Sequence, residues 1–161
     1  MLKIFNELSL FFEDVYRDIS VREYARIMKI SPPTASKLLK EYEKEDLLIS
    51  EKKGVYVYYV ANRENVLFKD LNVFYWKQKL MKIFLEVHKD FLYKKMVLFG
   101  SVSKAENTLD SDLDIYVDLP SKNINLENLE KVLKRKIQLF FRDSLKNKNL
   151  QENIKRGVNL F

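Results

Sequence analysis

The residue types with the clearest chemical potential lie between residues 97 and 117. An apolar stretch at 97–99 ends in Gly100 and Ser101, and a short helix is expected to begin there. Glycine lets the backbone approach a phosphate closely, and a serine hydroxyl can hold phosphate oxygens together with the N–H groups of a helix start. We therefore predict that Gly100 and Ser101 form a phosphate-binding turn.

Two aspartates follow this turn at a spacing that suits a metal site. Asp112 and Asp114 are separated by Leu113 and followed by further apolar residues. In a β-strand this alternation directs both carboxylates to one face, while the leucine points to the core. Two carboxylates beside a phosphate cradle are hard oxygen ligands of the kind that Mg²⁺ or Mn²⁺ binds. We predict that Asp112 and Asp114 are both metal ligands and catalytic residues.

Several elements are needed to position these groups. The patterns predict strands at 94–99, 113–117 and 137–141, a helix at 126–135, a short helix at 150–156, and one or two helices over 65–89. Trp76 is expected in helix packing or at a seam between domains. The basic run at the end of the 126–135 helix is typical of a helix C-terminus. An alternative is that it attracts an anionic acceptor; the run comprises Lys131, Lys134, Arg135 and Lys136.

The N-terminal part has the pattern of three helices followed by a β-hairpin. Ser20 with Glu23 three residues later is typical of a capping box, and Ser31 before Pro32 is typical of a helix start. The third helix is expected to run to about residue 46, and a hairpin turns at 51–54. Helix, tight turn, helix and hairpin is the order of a winged helix-turn-helix, which places one helix in the DNA major groove.

The candidate DNA contacts lie on the third helix and at the hairpin tip. They combine short polar, apolar and cationic side chains suited to bases and phosphates. These residues are Pro33, Thr34, Ser36, Lys37, Lys40, Lys52 and Lys53.

Residues 4–62 resemble winged helix-turn-helix transcription regulators of prokaryotic, especially archaeal, type. The resemblance rests on residues 20–26, 31–40 and 45–48 and implies double-stranded DNA as a partner. Winged helices also serve as protein-docking modules. The strand at 55–60 is apolar on both faces, which leaves open packing on the second domain or a homodimer contact.

Residues 66–161 resemble the minimal nucleotidyltransferases of the DNA polymerase β superfamily, through the Gly-Ser turn and the Asp-x-Asp pair. The resemblance implies an NTP held at Gly100 and Ser101, with Lys104 as a phosphate contact. It also implies metal-assisted transfer of a nucleoside monophosphate to an acceptor hydroxyl. Some relatives are antitoxins that modify a toxin, so the acceptor implied is a toxin-like protein or a nucleic acid.

One residue departs from this family pattern. A third carboxylate is usual on the next strand, where Gln138 stands here. A neutral amide is a poor metal ligand and cannot act as a base, so transfer is expected to be weakened by about 10² or more if the loss resembles that of other transition-state groups. Asp118 and Asp143 are possible substitutes but fit poorly, because Asp118 lies a step too far along its strand and Asp143 follows its strand.

The composition of the chain limits its expected partners and location. The chain has 161 residues, no cysteine and a net charge of +6. Residues 1–62 contain ten basic and ten acidic residues, and residues 63–161 contain nineteen and thirteen, so the excess lies in the second part. No apolar run reaches the ~18 residues of a membrane span. We expect no membrane partner and a cytoplasmic location, which the lack of cysteine fits.

The predicted fold is α+β with two domains. A winged helix-turn-helix occupies 1–62, and a nucleotidyltransferase fold with a small mixed sheet occupies 63–161, with connecting helices at 63–90. Two functions stay open at this point. One is a DNA-binding regulator that binds NTP and Mg²⁺; the alternative is an active enzyme that transfers a nucleotide to a protein or nucleic-acid hydroxyl.

Overall fold

The computed structural model describes residues 2–87 and 94–160. The chain divides into two compact units, residues 1–72 and 73–161. The division lies within one continuous helix, Val66–Val87, where the sequence left one helix or two open. The assignment of residues 1–62 and 63–161 to separate functional domains stays a prediction, and residues 88–90 of the predicted connection lie outside the described part.

The first unit begins with helices and continues into a hairpin. In chain order its elements are α1 (Lys3–Glu7), α2 (Ser9–Glu13), β1 (Ile19–Ser20), α3 (Val21–Met28), α4 (Pro32–Lys44), β2 (Leu48–Lys53) and β3 (Tyr56–Ala61). The single helix predicted near the N-terminus is thus two short ones. The strands form an antiparallel sheet in the order β1-β3-β2. The two-residue strand β1 was missed because no alternation is visible over so short a segment.

Both predicted helix caps in this unit are present. The Ser20 hydroxyl accepts a 3.2 Å hydrogen bond from the Glu23 N–H, and the Ser31 hydroxyl accepts one of 3.3 Å from the Thr34 N–H. These bonds satisfy N–H groups that a helix start leaves without partners. Helix α3 ends where Lys29 adopts a left-handed conformation with φ of 55°.

The second unit is built on a four-stranded mixed sheet. Its elements are α5 (Val66–Val87, from residue 73), β4 (Met96–Phe99), β5 (Leu113–Val117), α6 (Glu127–Leu133), β6 (Ile137–Phe141), α7 (Lys148–Lys155) and β7 (Val158–Asn159). The strand order is β6-β5-β4-β7, with β5 and β6 parallel and the other pairs antiparallel. The expected α+β class and small mixed sheet are therefore present.

The second unit buries the apolar residues that flank the two aspartates. Leu113, Ile115 and Val117 are fully buried. On the other face of the sheet, Val97, Phe99, Tyr116 and Ile154 form a cluster that joins β4 and β5 to α7. Apolar residues are therefore buried on both faces of the sheet, and this burial determines which side chains of β5 point to each face. Within residues 2–87 and 94–160, no helix is long and apolar enough to cross a membrane.

Candidate active site

The end of strand β4 and the start of β5 meet at Gly100. Phe99 pairs with Asp114 across the antiparallel ladder, and Gly100 follows with φ of 75°. A Cβ atom placed on Gly100 would lie 2.1 Å from Oδ2 of Asp114 and 3.1 Å from its Cγ. Two separate features require glycine at this position: the positive φ, and the Asp114 carboxylate that occupies the place of a Cβ atom. The predicted turn and aspartate are therefore in direct contact.

The backbone after Gly100 closes into a compact turn. A single 3₁₀ turn spans Val102–Lys104, and the Ser101 carbonyl accepts hydrogen bonds from the N–H groups of Lys104 at 3.1 Å and Glu106 at 2.9 Å. The Ser103 hydroxyl donates to the Gly100 carbonyl at 2.8 Å. Ser101 is half-buried and the Lys104 side chain is exposed. The turn is held by its own bonds, and the Lys104 ammonium projects to solvent.

Asp114 lies in β5 and is half-buried, whereas Asp112 directly precedes this strand, on the same side of the sheet as Asp114. Burial and the negative charge of Asp112 raise the pKa of the Asp114 carboxyl. The two carboxylates thus repel each other in a partly desolvated place. A divalent cation would relieve that repulsion and accept oxygen ligands from both, so this donor pair fits one hard cation.

Gln138 lies directly beside this pair. In the parallel ladder it is in register with Asp114, and its Nε2 donates a 2.6 Å hydrogen bond to Oδ2 of Asp112. The position predicted for the third carboxylate is therefore occupied by an amide that faces the other two acidic residues. Because an amide carries no charge and takes no proton, the candidate site contains two carboxylates rather than the three that the family resemblance implies. Over residues 2–87 and 94–160, no group of three or more acidic, histidine or cysteine side chains is placed to hold a metal ion.

The two substitute carboxylates have other roles. Oδ1 of Asp118 accepts hydrogen bonds from Nε of Arg142 at 2.9 Å and from the Tyr116 hydroxyl at 3.1 Å. The bond from Arg142 lowers the pKa of Asp118. Oδ2 of Asp143 accepts from the Ser121 N–H at 2.8 Å. Both carboxylates are engaged with partners of their own.

Sequence reasoning missed Arg135. The sequence pattern predicts it to be one of four ordinary cations at a helix end, yet Arg135 is only 6% exposed. Its Nη1 donates to the carbonyls of Thr108 at 2.7 Å and Ser111 at 2.6 Å, and its guanidinium carbon lies 4.9 Å from the ring centroid of Trp76. Trp76 is itself fully buried. Nothing in the basic run itself indicated which cation is buried.

The candidate DNA contacts of the first unit are displayed at its surface. Pro33, Thr34, Lys37 and Lys40 are exposed on α4, Ser36 is half-buried beside them, and the buried face of that helix carries Ala35 and Leu39.

At the hairpin tip the two predicted phosphate contacts, Lys52 and Lys53, have different surroundings. Lys52 is exposed, whereas Nζ of Lys53 lies 2.6 Å from Oδ2 of Asp18 and 3.4 Å from Oε2 of Glu51. The charge of Lys53 is therefore offset by two neighbouring carboxylates.

Comparison with known proteins bears on the second unit. A protein of Methanocaldococcus jannaschii, named "Putative protein adenylyltransferase", is 32% identical over 91 residues, covering 48% of this chain and 91% of that relative. No solved structure matches the chain significantly. Residues 77–159, which contain the Gly-Ser turn, both aspartates and Gln138, match the family described as "Nucleotidyltransferase domain". The chain belongs to this nucleotidyltransferase domain family.

Proposed function

We propose that the protein is a nucleotidyltransferase that attaches an adenylyl group from ATP to a hydroxyl of another protein. The observation that carries the proposal is the contact of Gly100 with the Asp114 carboxylate, because it brings one of the two predicted metal ligands next to the predicted phosphate-binding turn. Membership of the nucleotidyltransferase domain family supports the reaction class. The name of the archaeal relative supports a protein acceptor and an adenylyl donor.

The chemistry divides between the turn and the carboxylates. In the proposed reaction the oxygen of an acceptor hydroxyl bonds to the α-phosphorus of ATP and loses its proton to solvent, while the bond to the pyrophosphate oxygen breaks and pyrophosphate leaves. Gly100 and Ser101 would hold the phosphates and orient them for in-line attack, with Lys104 adding positive charge. A divalent cation held by Asp112 and Asp114, Mg²⁺ or Mn²⁺, would supply stabilisation of the negative charge on the phosphate oxygens.

Gln138 sets the expected level of activity. Its amide donates to Asp112 and so orients that carboxylate, but it cannot take the proton of an attacking hydroxyl. We therefore propose slow transfer with nucleotide binding retained, which suits modification of a single bound protein better than multiple rapid turnovers.

A labelling experiment tests the proposal. The full chain is incubated with lysate of its source organism, Mg²⁺, and ATP labelled either at the α-phosphate or at the γ-phosphate. We expect protein-bound label from the α-phosphate only, lost with Asp114→Ala and retained with Asp110→Asn, since Asp110 is exposed in the loop before β5. Label from the γ-phosphate would indicate phosphorylation instead, and no label from either would contradict the proposal.

DNA binding by the first unit is the second candidate function. The exposed face of α4 favours it, because that helix follows α3 across a short turn and precedes a hairpin, the order of a winged helix-turn-helix. The equal numbers of acidic and basic residues in 1–62 weaken it.

Fluorescence anisotropy with a mixed-sequence duplex at several salt concentrations tests this second function. If α4 enters the groove, Lys37→Ala and Lys40→Ala weaken binding and lower its salt dependence, while Lys44→Ala at the far end of the helix does not. A homodimer contact at the wing strand is one of the two alternatives that the sequence leaves open, and light scattering on the full chain would test it.

A further inference from the structure

The loop that leads into Asp112 is a small closed turn. The Ser111 N–H donates to the Thr108 carbonyl at 3.2 Å, and the Thr108 N–H donates to the Ser111 hydroxyl at 2.9 Å. These bonds hold the turn together internally but do not attach it to the sheet. An exposed loop of this kind needs an outside anchor if the residue after it is to be held in one place.

Arg135 supplies that anchor from a buried position. Its Nη1 donates to the carbonyls at both ends of the turn, those of Thr108 and Ser111. The guanidinium carbon lies 4.9 Å from the ring centroid of the buried Trp76, a distance at which a cation and an aromatic ring attract each other. Arg135 is only 6% exposed and is bonded to two carbonyls, so its planar guanidinium is restricted to a narrow range of orientations.

The next residue along the chain completes the hold on Asp112. The Lys136 carbonyl accepts a 2.9 Å hydrogen bond from the Leu113 N–H, which begins β5. Asp112 is thus bracketed: Arg135 holds the residue before it, and the backbone of Lys136 holds the residue after it. Gln138, two residues further, donates to the Asp112 side chain itself.

We infer that Arg135 is a positioning residue that orders the 108–111 turn and thereby sets the place of the Asp112 carboxylate for nucleotide and cation binding. The ordering of the turn is inferred from the contacts of Arg135 alone, whereas its effect on nucleotide and cation binding rests on the proposed function. Supporting groups of this kind change the affinity of a metal site by about tenfold to a hundredfold when removed.

The test compares Arg135→Met, Arg135→Lys and the control Lys136→Met in the full chain. Lys136 is exposed, so its substitution removes the same charge from the adjacent position but keeps the backbone bond to Leu113. Hydrogen–deuterium exchange of residues 108–113 reports the order of the turn, with residues 48–61 of the first unit as an internal reference. Calorimetry with Mn²⁺ and the non-reactive analogue α,β-methylene-ATP reports the site.

We expect Arg135→Met to speed exchange in 108–113 alone and to weaken analogue binding about tenfold. Arg135→Lys should restore part of the protection from exchange and part of the affinity, because it keeps a cation and hydrogen-bond donors. Lys136→Met should leave the affinity within about twofold of wild type, because surface substitutions usually have small effects. Unchanged exchange in 108–113, or faster exchange with unchanged affinity, overturns the positioning role. A wild-type protein that binds no analogue contradicts the proposed function and the consequence drawn from it, while the exchange data still decide whether Arg135 orders the turn.

Protein NMR covers the case in which the Arg135 variants do not fold. The Nη protons of Arg135 in the wild-type protein should exchange slowly with water and shift when Mg²⁺ and the analogue are added. Rapid exchange of these protons, or no shift at a saturating concentration, overturns the inference without any substitution.

Discussion

The two units of the chain treat their charged residues in opposite ways. In the first unit Lys53, at the hairpin tip, is paired with Asp18 and Glu51 at the surface. In the second unit Asp112 and Asp114 share one sheet face, and the pKa of Asp114 is raised by burial and by its neighbour. Charge is offset at the hairpin tip of the first unit and concentrated at the aspartate pair of the second. Because such concentration destabilises the empty protein, it indicates a place built for a ligand.

Glycine substitutions test this contrast with the largest expected effect. Gly100 and Gly54 both have positive φ, of 75° and 62°. A Cβ on Gly54 meets nothing within 4 Å, whereas one on Gly100 would meet the Asp114 carboxylate. Gly54→Ala should lower the free energy of unfolding by about 1 kcal/mol and leave transfer intact.

Gly100→Ala should reduce adenylyl transfer by about 10² or more, because the carboxylate must leave its place. Transfer rates and urea unfolding of both variants measure these effects. Equal effects on transfer from the two glycines would remove the distinction between the units.

Gln138→Asp sharpens the same contrast by adding a third carboxylate to the pair. Transfer should rise by about 10², if the missing group is worth what other transition-state groups are. The metal-free protein should become less stable, because three like charges then share one face. Gln78→Glu adds the same charge on an exposed position of α5 and serves as the control. A rate no higher than wild type would show that the amide does not limit transfer.

The dependence of stability on pH provides a test with an effect of intermediate size. The folded-state pKa of Asp114 is raised above its ordinary value of 3.8, so the folded protein holds this proton more tightly than the unfolded chain does. The stability of the chelator-treated protein should therefore fall as the pH rises from about 4 through the raised pKa. Asp114→Asn should remove that fall. Unfolding midpoints measured across this range would contradict the assignment if wild type and variant run parallel.

The first unit should show the opposite sign and the smallest effect. The hydrogen bond from Lys53 lowers the pKa of Asp18, so its contribution is present above the ordinary carboxyl value and is lost as the pH falls through the lowered one. Asp18→Asn should weaken this acid dependence slightly at low salt. The difference should disappear near about 1 M salt, where exposed charges are screened within a few ångströms. A salt-independent effect would mean that this pair is not a surface pair.

Local patterns sufficed to predict most of the candidate site. The alternation around Asp112 and Asp114 fixed their shared face, and strand Ile137–Phe141 lies where the sequence predicted it, with Gln138 beside the pair. These predictions depend on neighbours in the chain, which periodicity can report. The roles of the site residues themselves stay predictions.

Contacts between distant segments could not be read in this way. Buried Arg135 contacts Trp76, which lies far away in the chain on α5, and Lys53 is paired with Asp18 across the sheet. Neither partner can be identified from spacing. Exposure of Val55 on the wing was equally unforeseen, since an apolar pattern does not say which faces are covered.

The edge position of strand β6 has an evolutionary consequence. Gln138 is exposed on the outermost strand, so replacing it requires no repacking of the interior. Gly100 has no such latitude, because any larger residue would displace a carboxylate. A single mutation on this edge strand is therefore the least disruptive route by which evolution could change the proposed chemistry, whereas any substitution at Gly100 would disturb the predicted phosphate-binding turn.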